Sequence, residues 1–209
     1  ENIRDQLLKV PLFGFLYFKI VTIKNEIRSV DFVERNVARD FISQKIDLKI
    51  TPVQKIIGII AELHHIKGLN YLINSAKKVV DKNPDTIFVI FGEGEERKNL
   101  EKQITKAGLE KNFFLLGFIE NAPQYLKGLD LFVMSSLSEG LALSWLEAKQ
   151  ADLPMIITNV GGALEFSMGY GKIELISPKD VKNINEKINL FLEGKILNKE
   201  KSYLSNYSF

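Results

Sequence analysis

The chain has 209 residues, 28 Lys+Arg against 26 Asp+Glu, 45% hydrophobic residues and no cysteine. That is length for one ample globular domain, and it excludes a disordered, collagen-like or disulfide-stapled chain. Without cysteine there is no thiol catalysis or thiolate metal site, and a net charge of +2 with no basic stripe argues against a nucleic-acid partner.

The first residue is Glu1 rather than Met, so a fragment or a processed product is expected. Residues 10–23 (VPLFGFLYFKIVTI) are the most apolar stretch, but they contain Pro11, Gly14 and Lys19. A spanning helix needs about 20 apolar residues, and no small-residue cleavage site follows. The stretch reads as a buried strand or an interface segment, with a peripheral membrane contact as the alternative. Residues 19–23 read as a strand and 37–41 as part of a helix, and residues 1–54 stand outside the repeat that follows.

From residue 55 short β-branched runs alternate with amphipathic stretches. Residues 55–61 predict a strand. Leu69, Leu72, Ile73, Ala76, Val79 and Val80 are spaced for a helix over 68–81. Asn83-Pro84-Asp85 is a turn, and 86–91 a second strand broken by Gly92-Glu93-Gly94. A helix over 95–107 ends at Gly108. Then come a strand over 112–116, a short helix over 122–127, a strand over 131–134 and a helix over 141–151. Pro154 precedes a strand over 155–158, and Gly161-Gly162 turns into another helix. A strand over 173–176 and a helix over 181–192 close the pattern.

Five or six continuous apolar strands alternating with helices predict an α/β fold, a doubly wound, Rossmann-like parallel sheet. Ligands of such sheets bind beyond the carboxyl ends of the strands. The loops to inspect are therefore 61–68, 92–95, 117–121, 135–141 and 159–163.

The loop after the fourth strand carries the most chemistry. Gly140 lets the backbone turn closely and a helix is expected just beyond it, so the amides of Leu141, Ala142 and Leu143 would face an anion. Glu139 and Glu147 bracket that helix start at a spacing suited to two sets of sugar hydroxyls with a diphosphate between them. Lys67 stands ahead of the 68–81 helix, where its ammonium would meet a phosphate. His64 and His65 are the only histidines. Adjacent side chains should diverge, and no third ligand is near in sequence, so no metal site is expected. Gly92-Glu93-Gly94-Glu95-Glu96-Arg97 starts like a dinucleotide fingerprint but ends in Arg among three acids that would repel a pyrophosphate. Its glycines are expected to permit a turn or a ligand's close approach.

Together these segments resemble the donor-binding, C-terminal half of retaining glycosyltransferases of family 4, which have the GT-B fold. The segment from Glu139-Gly140 to Glu147-Ala148 looks like that family's E-G-x-x-x-x-x-x-E-A stretch. Gly92-Glu93-Gly94, Gly117-Phe118, Asp130 to Ser136, Pro154 and Val160 to Glu165 follow in matching order. The resemblance implies a nucleotide-diphospho-sugar substrate, UDP- or GDP-linked, and no cofactor or metal. Glu139 would contact the donor sugar and Lys67 the diphosphate, as the catalytic pair. Glu147 would hold the ribose, with Gly140, Leu141, Ala142 and Leu143 supporting phosphate or sugar oxygens. Gly117, Phe118 and Ile119 would lie near the base. The acceptor, a glycan or a lipid-linked glycan, would attack on the face from which the diphosphate departs, giving retention. The chain departs from the family at Ala61-Glu62, where Gly-Arg is usual; an acid there removes one clamp on the diphosphate.

The implied organisation is a remnant of an N-terminal acceptor domain and hinge strand over 1–24 and a linker over 25–54. The nucleotide-sugar domain would cover 55–197 and a truncated tail 198–209. The remainder of the acceptor domain would be a missing partner, and the implied location is cytoplasmic, at the inner face of the membrane in the lipid-linked case. Two other readings stay open: a nucleotide-sugar-binding or scaffold module without turnover, and a nucleotide-sugar epimerase of the same fold.

Overall fold

The structure, a computed structural model, describes residues 28–168 and 170–197. The expectations for the apolar stretch 10–23, the 19–23 strand and the 198–209 tail lie outside the described residues. Helix α1, Arg35–Lys45, contains the expected 37–41 turn. Strand β1 is Lys55–Ile60, followed by a 3-10 turn at His65–Lys67 and helix α2, Leu69–Lys82. Strand β2 is Thr86–Phe91, α3 Arg97–Ala107 and β3 Phe113–Gly117. A 3-10 segment, Ala122–Gly128, leads to β4, Leu131–Met134, and α4, Leu143–Gln150. Strand β5 is Met155–Thr158, α5 Ala163–Ser167, β6 Ile173–Ile176 and α6 Val181–Leu192.

All six strands are parallel, in the order β3-β2-β1-β4-β5-β6. Right-handed crossovers leaving β1 towards β2 and β4 towards β5 run in opposite directions, which puts their helices on opposite faces. Residues such as Ile56, Ile57, Val89, Ile90, Phe132, Val133, Ile156 and Ile157 are consequently almost wholly buried. Burial on both faces is why these strands read as unbroken apolar runs rather than as alternation. No helix among the described residues is long and apolar enough to cross a membrane.

Asp130, at the turn into β4, ties α1 to the sheet. Its carboxylate accepts from the Ile56 amide at 2.8 Å, Arg35 at 2.9 Å and Arg39 at 3.2 Å, and Lys55 Nζ lies 3.5 Å away. Arg35 also donates to Leu129 O at 2.9 Å and Arg39 to Gln54 O at 2.8 Å. Phe41 of α1 stacks on Tyr125 at 3.8 Å between centroids. The Asp130 side chain is only 9% exposed. Its removal takes the counter-ion from Arg39, 14% exposed, and the acceptor from a strand amide, which is costly in a way that losing a surface pair is not. Asp130→Ala should cost about 3 kcal/mol, lowering Tm by roughly 6–12 °C for a domain of this size. Lys77→Ala, which loses an exposed pair with Asp81, should stay within about 0.5 kcal/mol. Equal effects in thermal unfolding would remove Asp130 as the tie.

Candidate functional site

Strands β1 and β4 lie side by side at the centre of the sheet. Their crossovers part in opposite directions, so a crevice opens beyond their carboxyl ends. Lys67 comes from the loop after β1 and Glu139 from the loop after β4. Though 72 residues apart in sequence, they meet there, Lys67 Nζ to Glu139 Oε1 at 2.6 Å. The Lys67 side chain is 21% exposed and that of Glu139 10%.

The two loops are fastened to each other by main-chain contacts. Leu137 N–H donates to Ile66 O at 2.7 Å, and Ser135 Oγ donates to Gly68 O at 2.9 Å. The neighbouring Ser136 Oγ donates to Glu139 Oε1 at 2.8 Å. From the β5 side, Gly162 N–H donates to Gly140 O at 2.8 Å. Gly161 has φ +54°, and a Cβ there would stand 1.8 Å from Glu139 O, so a side chain at 161 would push the loop off its seat. Gly140 itself, expected to be the close-turning glycine, is exposed, and a Cβ on it would meet open space. The tight position lies across the contact, at Gly161.

Helix α4 begins at Leu143 rather than 141, because Ala142 is extended at φ −71°, ψ 128°. Trp145 N–H is spent on Ala142 O at 3.1 Å, but among the described residues nothing accepts from the amides of Leu141, Ala142, Leu143 or Ser144. The start of the helix leaves the amides of Ala142, Leu143 and Ser144 without an intrahelical acceptor. Buried Trp145, donating Nε1–H to Met134 Sδ at 2.8 Å, holds the helix against β4.

Glu147 lies on the second turn of α4 and is half-buried. Desolvation pushes its carboxyl above the ordinary carboxylate range, and among the described residues no cation or donor offsets that. Gly117, Phe118 and Ile119 stand at the end of the edge strand β3, away from the Lys67–Glu139 pair. Three strand spacings separate β3 from β4, about 14 Å. Phe118 is 77% exposed, whereas Ile119 packs on the core.

The β1 and β2 loops meet closely. A Cβ at Gly92 would stand 1.9 Å from Ala61 O, and one at Gly94 2.5 Å from Leu63 O. These glycines let the β2 loop lie against the β1 loop. Of that loop's three acids, Glu93 is held by Arg97 at 2.5 Å, and the Arg97 hydrogen bond draws its carboxyl below the ordinary range; Arg97 also holds Glu101 of α3 at 2.9 Å. The histidines do not diverge. Their ring centroids are 4.3 Å apart, and Glu95 Oε1 lies 3.4 Å from His64 Nε2. The three groups could gather an ion. However, His64 Nδ1 accepts the Ile66 amide at 3.2 Å, which leaves the ring proton on Nε2, facing Glu95. A metal-ligating histidine donates through its second nitrogen instead. Glu62, two residues beyond β1, is exposed.

Sequence reasoning missed Ser135 and Ser136. The available signal was a pair of small hydroxyl residues ending a buried strand.

The raised Glu147 carboxyl has a consequence for stability. An acid that binds its proton more tightly when folded adds stability at low pH and loses it as pH rises through the folded value. Glu147→Gln should therefore raise Tm of the ligand-free domain at pH 7, with the gain over wild type shrinking as pH falls towards 4. A pH-independent difference would show that the carboxylate is not held against its solvation.

The sequence model of the family described as "Glycosyl transferases group 1" matches residues 40–208. An uncharacterised glycosyltransferase of Methanocaldococcus jannaschii is 36% identical over 136 residues, 65% of this chain and 31% of that protein. The UDP-Gal:alpha-D-GlcNAc-diphosphoundecaprenol alpha-1,3-galactosyltransferase of Escherichia coli is 40% identical over 95 residues, 44% of this chain and 24% of that one. The chain thus spans about a third or less of the length of these relatives. The crystal structure of the C-terminal domain of a glycosyl transferase group 1 family protein from Francisella tularensis superposes with a TM-score of 0.66 at 28% identity, covering 81% of this chain and 90% of that one. The α/β Rossmann-like sheet is that of the C-terminal half of a GT-B glycosyltransferase, and the chain belongs to the glycosyl transferases group 1 family.

Proposed function

We propose that this domain binds a nucleotide-diphospho-sugar and serves a metal-independent, retaining transfer of the sugar, of the family 4 type, to a glycan or lipid-linked glycan. The observation that carries the reading is the meeting of Lys67 and Glu139 at the switch point, beside free amides at 141–144 and an unneutralised Glu147. In this reading the diphosphate takes the amides and the Lys67 ammonium, two sources of positive potential for a leaving group that gains charge. Glu139 accepts from donor-sugar hydroxyls. Glu147 accepts from the ribose hydroxyls, whose O–H groups supply the donors its carboxylate lacks. Phe118 and the main chain of Gly117 and Ile119 receive the base at the far end of the crevice. A uridine nucleotide is favoured over a guanosine one by the relative named for UDP-Gal.

For the acceptor step, the hydroxyl attacks the anomeric carbon on the face from which the diphosphate leaves, and a leaving-group oxygen takes the proton. The acceptor and a facing N-terminal domain belong to the whole protein, and a lipid-linked acceptor would place it at the cytoplasmic face of a membrane. A second reading, a nucleotide-sugar-binding module without turnover, is favoured by Glu62, an acid where the resemblance puts an arginine.

Calorimetry and thermal shifts with UDP, GDP and their sugar conjugates test the donor reading. At 100 times its dissociation constant a ligand adds about 2.7 kcal/mol, or roughly 5–10 °C in Tm. Glu147→Ala should weaken binding at least about tenfold, the value of a lost charged hydrogen bond. No shift with any nucleotide would sink the donor site. Binding without transfer by the full-length protein would leave the module reading in its place.

A further inference from the structure

We propose that Ser136 is the positioning residue of Glu139: its hydroxyl holds Oε1 so that the carboxylate keeps its aim when Lys67 turns to another anion. The proposal rests on the reading of Lys67 and Glu139 as donor contacts. Its basis is that two donors of different kinds share one oxygen, Lys67 Nζ at 2.6 Å and Ser136 Oγ at 2.8 Å, both on Oε1. Among the described residues no donor reaches Oε2, so the free oxygen is the one available to a ligand hydroxyl.

The two donors differ in what else holds them. Lys67 ends a flexible four-carbon stem, and its charge can follow a phosphate. Ser136 is fully buried, and its carbonyl is fixed by the buried Thr158 hydroxyl at 2.7 Å. It cannot follow. The Glu139 main chain is seated from the other side by Gly161 and by the Gly162–Gly140 hydrogen bond.

A carboxylate this enclosed is costly without compensation once its cation leaves. A charge-assisted O–H···O⁻ bond from a fixed hydroxyl offsets that cost and sets the carboxylate's rotation. A donor that brings its own phosphate charge can then draw Lys67 away without collapsing Glu139. The serine thus makes the exchange of partners affordable.

The first test is calorimetric, comparing a nucleoside diphosphate with its sugar conjugate on the whole chain. In Ser136→Ala the nucleotide's affinity should stay within about twofold, while the conjugate's falls about tenfold. Ser136→Thr, which keeps the hydroxyl, should recover most of that loss. An equal fall for both ligands, or none, overturns the proposal, since a merely structural role has no reason to sense the sugar.

A second test needs no donor. Thermal unfolding of Lys67→Met, Ser136→Ala and the double variant should show a Tm loss in the double that exceeds the sum of the singles by roughly 3 °C. The carboxylate is then left without either donor. Additive losses overturn the proposal. A wild type that binds neither ligand would defeat the donor reading, while this second cycle would still decide the role of Ser136.

Discussion

The parallel pairing of β1 with β4 is the constraint from which the rest follows. Ile57 pairs with Leu131 and Gly58 with Phe132. The Asp130 carboxylate, one residue ahead of β4, takes the Ile56 amide and fixes where that ladder starts. From this register the two strands run out side by side. A shift of one residue would turn every side chain to the other face and carry the β4 loop out of line with the β1 loop. The contact between Lys67 and Glu139 is therefore set at the opposite end of the sheet, by a carboxylate that never approaches the crevice.

Glu139 and Glu147 are treated in opposite ways. Glu139 is enclosed, but an ammonium and a hydroxyl compensate it. Glu147 is half-buried and uncompensated, and desolvation alone raises its carboxyl. Uncompensated groups lower stability, and where they line a crevice they are the groups a ligand can satisfy. The free amides at 141–144 are the complementary case, donors without acceptors. A ligand that combines hydroxyl donors with anionic oxygens answers both demands. A hydrophobic ligand answers neither.

Much of this was legible in the residues. The strands 86–91, 131–134 and 155–158 run where the β-branched and apolar runs predict, because they are buried along their whole length, and the partly buried edge strand 173–176, with Glu174 inside it, also lies where its aliphatic residues predict. The start of α4 was not legible. Leu141, Ala142 and Leu143 suit a helix by propensity, yet tertiary contacts decide: Gly140 O is taken by Gly162 N–H and the chain stays extended through Ala142. What Gly92 and Gly94 approach was not legible for a related reason. A glycine in a loop signals close approach but not the identity of the approaching atoms, which here belong to the β1 loop. Glu95 beside His64 is a long-range contact with no local signature. Lys67 and Glu139 could be singled out separately by their loops and by the family resemblance, but only the fold reports that they touch.

The serine pair at the end of β4 shows how the strand's own geometry is put to use. Consecutive residues of a strand point in opposite directions. Ser135 and Ser136 follow β4 directly, and they retain that divergence. Ser135 reaches the β1 loop at Gly68 O, beside the Lys67 main chain, while Ser136 reaches Glu139. One dipeptide thus registers both members of the ion pair, the lysine through its backbone and the glutamate through its carboxylate. Charged groups in place of the hydroxyls would compete for the same partners and trap them. A neutral donor on each side fixes the geometry without adding a charge that would compete within the Lys67–Glu139 pair.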